Sequence, residues 1–103
     1  MLLELGIPFR YEQALKTRSM GIVFPDFTLL DVWNRKIVLF EHFGLMDDES
    51  YRNRNISKIR NYIQEGFELG NSLLYTMETN GRPLSTKYLK KIIRNRFPHL
   101  DEP

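Results

Sequence analysis

The sequence has no cysteine, a single tryptophan and no apolar run near the roughly 20 residues that a bilayer-spanning helix needs. The first absence removes disulfide frameworks and cysteine-ligated zinc or iron–sulfur sites. The opening, Met1 to Phe9, also lacks the basic flank and cleavage site of a secretory signal, so a cytoplasmic protein with no membrane partner is the default expectation. Charge of one sign is scarce too: 15 Lys and Arg against 13 Asp and Glu leave a net charge of +2, which by itself is no argument for nucleic acid.

What is present is enough apolar residue for a core. With 103 residues and 42% of them hydrophobic, the chain is expected to form a single domain over 1–103. The charge, though small in sum, is unevenly laid out. Between Glu78 and Asp101 there are six basic residues and no acidic one, among them Lys87, Lys90, Lys91 and Arg94. Arg52, Arg54, Lys58 and Arg60 form a second basic stretch. A phosphate backbone could bind either, and a solvated helix face is the competing reading of both.

Met1 to Leu5 reads as the last turn of a helix stopped by Gly6 and Pro8, too short to stand alone in water, which suggests that a longer helix lay upstream. Phe9 to Leu15 alternates weakly as a first strand. Two apolar runs follow, Ile22 to Leu30 and Ile37 to Phe43, separated by the turn candidate Asp31 to Lys36, and they read as an antiparallel hairpin. An even-length loop centred between Trp33 and Asn34 sets Leu30 against Ile37, Thr28 against Leu39 and Asp26 against Glu41; an odd loop would shift the pairing by one. Both faces of this hairpin are apolar, so helices should cover both sides of the sheet. From Asp47 the period becomes helical, with Ile56, Ile59, Ile63 and Phe67 as the expected buried stripe. Leu73 to Thr79 reads as a buried strand parallel to the Ile37 strand, and a last helix starts at Ser85, stapled by Leu84 and Leu89 and burying Leu89, Ile92, Ile93 and Phe97. The expected fold is α/β: a small mixed sheet of about four strands, an antiparallel meander plus a parallel strand reached through a helical crossover, flanked by helices.

Asp26 and Glu41 stand inside otherwise apolar strands, in Val-Phe-Pro-Asp-Phe-Thr and Val-Leu-Phe-Glu-His-Phe. Adjacent carboxylates in such surroundings repel and lose hydration unless a cation or a shared proton intervenes. Divalent Mg²⁺, which takes one or two carboxylates and leaves the rest of its shell to water and phosphate oxygens, meets both problems. His42, next along the strand, should point to the opposite face and serve structure, or act as a general base if the strand bulges. Glu12 in the first strand is a candidate third acid.

Pro25-Asp26, the glutamate one hairpin later and the strand order resemble the PD-(D/E)XK, or restriction-endonuclease-like, superfamily over about Phe9 to Phe97. Phe24-Pro25-Asp26-Phe27-Thr28, Phe40-Glu41-His42-Phe43-Gly44-Leu45-Met46-Asp47, Tyr51 and Lys58 to Tyr62 look like a group of bacterial and phage members. The resemblance implies a restriction-endonuclease-like fold, Asp26 and Glu41 as ligands of Mg²⁺ or Mn²⁺, and hydrolysis of a DNA phosphodiester, by a free-standing enzyme or the nuclease domain of a larger protein. Many such nucleases work as dimers, so a homodimer is compatible with it. The pattern expects a lysine two residues after the glutamate, where this chain has Phe43. Two readings follow: an endonuclease whose lysine has moved to the helix at Lys58, beside Tyr51, Asn55 and Tyr62, or a catalytically impaired nucleic-acid-binding module on the same fold.

Overall fold

Alternating apolar side chains on both faces of Ile37 to Phe43 put this segment at the centre of the structure, a computed structural model that describes residues 6–44, 47–78 and 85–98. The elements run β1 (Phe9–Tyr11), β2 (Leu15–Thr17), β3 (Gly21–Val23), β4 (Phe27–Asp31), β5 (Lys36–Phe43), α1 (Glu49–Gln64), β6 (Leu73–Met77) and α2 (Thr86–Arg96). A mixed sheet is ordered β1-β4-β5-β6, with β1 antiparallel to β4, β4 antiparallel to β5 and β6 parallel to β5. The expected small α/β architecture is therefore present. The β4–β5 register has the even-loop form, with Thr28 opposite Leu39 and Leu30 opposite Ile37.

The strands before β4 differ from expectation. The first strand ends at Tyr11 because Glu12 turns into the left-handed region at φ 49°, unusual for a residue with a side chain. The run from Ile22 is broken at Phe24-Pro25-Asp26, where Pro25 has no N–H to give a ladder. Its front half becomes β3, which folds back on β2 as a two-stranded hairpin that the hydrophobic pattern did not reveal. Glu65, just past α1, holds this hairpin by its turn: one carboxylate oxygen accepts from the Arg18 and Ser19 amides, each at 2.7 Å, and from the Ser19 hydroxyl at 3.0 Å. The Ser19 amide leads the set of contacts that hold its carboxyl below the usual range.

Side chains of alternate sense along β5 build a separate core on each face. On one face Val38 and Phe40 pack with Leu29, Leu74, Ile7 and, from α2, Ile93 and Phe97. On the other, Leu39 packs with Leu73 and with Tyr62 of α1, edged by Ile59, Phe67 and the β2–β3 hairpin. Ser85 caps α2 as expected, its hydroxyl accepting from the Tyr88 amide at 3.0 Å. Asp48 caps α1 in the same way, through the Tyr51 amide at 2.8 Å. The α1 stripe is the main correction. Of the expected residues Ile59 and Phe67 pack on the core, but Ile56 and Ile63 are exposed, whereas Asn55 and Tyr62 are buried, so the inward side of the helix is partly polar. The expected helical turn at Met1 to Leu5, the end of the strand at Thr79 and the Leu84 half of the staple lie outside the described residues.

The α2 helix is locked to the sheet by charge as well as by Ile93. Arg96 donates to Oδ2 of Asp31 at 2.7 Å and to the Asn71 carbonyl, while Asn34 donates twice to the same carboxylate. Burial alone would raise the Asp31 pKa, but the hydrogen bonds from Asn34 and Arg96 outweigh it and hold the carboxyl below its usual range. Asp31 is buried and Arg96 mostly so, and Arg96→Met, which strands the carboxylate, is expected to destabilise the fold by about 3 kcal/mol in urea titration. Because the folded pKa is depressed, the Asp31 contribution is complete above its ordinary value of 3.8 and is lost as pH falls through the folded value. Parent and Asp31→Asn should therefore converge in stability below pH 3.8; curves that stay parallel there would show that the carboxylate is not the source.

Candidate functional site

The β4–β5 ladder ends at Phe27 opposite Phe40. One step further, where Pro25 bends the chain, side chains take over from the backbone. The Asp26 amide donates to Oε1 of Glu41 at 2.6 Å, and the His42 amide donates to Oδ2 of Asp26 at 2.7 Å. Each carboxylate thus closes on the other segment's main chain, and the two acids are brought together one step beyond the paired residues of the ladder.

Glu41 is 1% exposed, and a carboxylate so buried is disfavoured by several kcal/mol unless charge and hydrogen bonds answer it. The answer comes from α1. The Lys58 ammonium contacts Oε2 of Glu41, and the Tyr62 hydroxyl lies 3.4 Å from the same oxygen. Lys58 also sits 5.9 Å from the centroid of the Tyr62 ring, within cation–π range. Burial, followed by the charge of Glu41, pushes the Tyr62 phenol well above the usual tyrosine range. Phe43, at the place where a lysine was expected, is buried and packs near Tyr75. The amine that meets the glutamate arrives from the helix instead.

The other candidates are distributed as follows. His42 turns away: its Nδ1 is 2.7 Å from the Thr76 hydroxyl and its Nε2 3.4 Å from Glu78, on the α2 side of the sheet. Glu12 is brought beside Asp26 by its backbone, its amide donating to the Asp26 carbonyl at 3.1 Å, but it is exposed and its carboxylate interacts with the Tyr11 phenol, whose pKa it raises. Among the described residues no three His, Asp or Glu side chains gather. A cation held by these acids would therefore have two carboxylates and take its remaining oxygens from elsewhere, a donor set that suits Mg²⁺. The basic residues divide between the two sides. Arg52 and Arg54 lie on α1, over the carboxylate face, with Arg54 5.6 Å from the Tyr51 ring centroid. Lys87, Lys91 and Arg94 line the outward side of α2 with Tyr88 and Asn95, across the sheet from Glu41, and Lys90 is half-buried nearer the sheet.

No family model and no solved structure matches the chain. A protein of Methanocaldococcus jannaschii whose name describes it as uncharacterised is 40% identical over 67 residues. The matched stretch is 64% of this chain but spans 5% of that protein's length. No helix among the described residues is long and apolar enough to cross a membrane.

Lys58→Met leaves Glu41 buried without its cation. Because the lysine is a third exposed, water softens the loss, and a destabilisation of about 2 kcal/mol is expected, largely recovered when Glu41→Gln is added. Additive effects of the two substitutions in a double-mutant cycle would show that the pair is not coupled. The raised Tyr62 pKa gives a contribution that is complete below its ordinary value of 10.0 and lost as pH rises through the folded value. Tyr62→Phe should accordingly flatten the alkaline fall in stability above pH 10.0.

Proposed function

We propose that this chain carries a PD-(D/E)XK nuclease core of restriction-endonuclease-like fold, whose activity is divalent-metal-dependent hydrolysis of DNA phosphodiesters. The observation that carries the reading is the reciprocal closure of Asp26 and Glu41 on one face, with the Lys58 ammonium already against the buried carboxylate. The donors fit the group: both are hard carboxylates, and a cationic centre is what the buried one accepts.

In this reading Asp26 and Glu41 hold Mg²⁺ or Mn²⁺, and the bound metal supplies Lewis acidity toward the phosphodiester. Lys58 places positive charge where negative charge develops on the phosphate. Tyr62 orients Lys58 and Glu41 and stays protonated while it does so. His42 acts through structure, its amide fixing Asp26 and its imidazole on the far side. Arg52 and Arg54 are set to meet the backbone of a nucleic acid approaching the carboxylate face, and the Lys87, Lys90, Lys91 and Arg94 group to meet phosphates on the α2 side.

Cleavage of plasmid and single-stranded DNA with Mg²⁺ or Mn²⁺ tests the proposal. Asp26→Ala and Glu41→Ala should abolish both cleavage and Mn²⁺ binding in calorimetry. Lys58→Ala should lower the rate by about 10²- to 10³-fold, in the range for loss of one charge-stabilising donor, while Mn²⁺ still binds. Cleavage that survives Asp26→Ala would place the activity elsewhere; Mn²⁺ and DNA binding without any cleavage would make the chain a binding module instead.

A further inference from the structure

The face that bears the carboxylate pair is only partly roofed. Its side chains fall in rows across the strands: Arg10, Thr28 and Leu39 form one and Leu30 with Ile37 the next, while Asp26 and Glu41, joined through each other's main chain, lie just past the end of the ladder on the other side of the first row. Successive rows are two residues apart, about 7 Å along the strand. In the first row α1 covers Leu39, through Tyr62, whereas Arg10 lies exposed on the outermost strand and Thr28 is half-buried beside it. Leu30 and Ile37 remain 41% and 39% exposed although they sit within the sheet. Arg10, Gln13, Thr28, Leu30 and Ile37 line a groove of about 230 Å³ that Pro8, Phe9 and Leu29 complete.

The groove has the makings of a subsite. Its floor is apolar, and three polar groups stand along it without protein partners: among the described residues Arg10 makes no ion pair, and Thr28 and Gln13 make no side-chain hydrogen bond. That combination, an apolar surface with a few convergent polar groups, is how small-molecule sites are built. The volume is below the roughly 300–1,000 Å³ of pockets for drug-sized ligands, which suits one piece of a longer ligand. The single formal charge lining it is a guanidinium, whose planar fork of donors matches phosphate.

From this we propose that the groove binds the nucleotide adjoining the scissile phosphate. The Arg10 guanidinium takes its phosphate, and Thr28 and Gln13 offer neutral hydrogen bonds. Leu30 and Ile37 receive the flat, apolar face of the base. This inference rests on the nuclease reading for the identity of the strand, but its binding chemistry is independent of turnover. Arg10 is a binding and positioning residue here, one row away from the acids that hold the metal.

The test is fluorescence anisotropy with a fluorescein-labelled single-stranded oligodeoxynucleotide in EDTA, so that no hydrolysis intervenes, repeated over a range of salt. Arg10→Gln should weaken binding about tenfold or more, the scale of one charge-assisted contact, and lower the slope of log K against log salt by about 0.7. Arg10→Lys should restore the slope but only part of the affinity, because charge returns without the fork. Titration of the unlabelled oligonucleotide into ¹⁵N-labelled protein should shift the amides of Arg10, Gln13, Thr28, Leu30 and Ile37. Affinity and slope unchanged in Arg10→Gln, or amide shifts confined to α2, overturn the proposal, as does a parent chain that binds no oligonucleotide. A chain that cleaves normally in Arg10→Gln and binds as tightly loses the subsite and keeps the nuclease reading. One that never cleaves yet loses binding in Arg10→Gln keeps the subsite and loses the nuclease.

Discussion

Glu41 puts a full negative charge where water scarcely reaches, and much of the surrounding sequence can be understood as the response. The desolvation of such a group is offset only by close cationic and hydrogen-bonding partners. They come from two directions: Lys58 and Tyr62 from the crossover helix, and the Asp26 amide from the segment that leads into β4. A helix that has to deliver an ammonium and a phenol to a sheet cannot present an ordinary apolar stripe to it. The inward side of α1 therefore combines Asn55, Lys58 and Tyr62 with Ile59, and two isoleucines that a packing argument would bury, Ile56 and Ile63, are left on the outside.

The opposite face follows simpler rules. There β5 presents Val38 and Phe40 to Ile93 and Phe97, an apolar contact of the kind that hydrophobic burial stabilises without special arrangement. Charge enters at its margin, where Arg96 spans Asp31 and Asn71 and fixes the end of α2 to the turn between β4 and β5. The sheet thus keeps the Glu41 carboxylate with its lysine on one side and most of its apolar packing on the other. His42 takes part in both, giving its amide to Asp26 and its imidazole to Thr76.

How far the sequence could be read depended on whether local pattern or tertiary demand decided each element. The β4–β5 register was legible because two apolar runs flanked a polar turn of even length, and the parallel β6 because a helical period separated it from β5. Ser85 announced its helix by ordinary capping chemistry. The β2–β3 hairpin was not legible: three-residue strands carry too few side chains for alternation to register, and what fixes their turn is Glu65, 46 residues beyond Ser19. The α1 face was misread for the opposite reason, since its hydrophobic period was genuine but was overruled by a buried charge on another element. Of the site, Asp26, Glu41 and Lys58 could be named from sequence. The groove beside Arg10 could not, because it forms only when β1 pairs with β4.

The two acids are 15 residues apart and share one hairpin, whereas Lys58 must travel in on a helix. On the clock of elementary folding events a hairpin closes in about 1–10 μs, ahead of the longer-range docking that a crossover requires. The register between the two strands is a matter of sequence-local contacts, whereas the Glu41 carboxylate meets its cation only where the helix is docked on the sheet. One docked helix thus supplies both the roof of the Leu39 core, through Tyr62, and the positive charge that Glu41 faces, so that on undocking neither can be lost without the other.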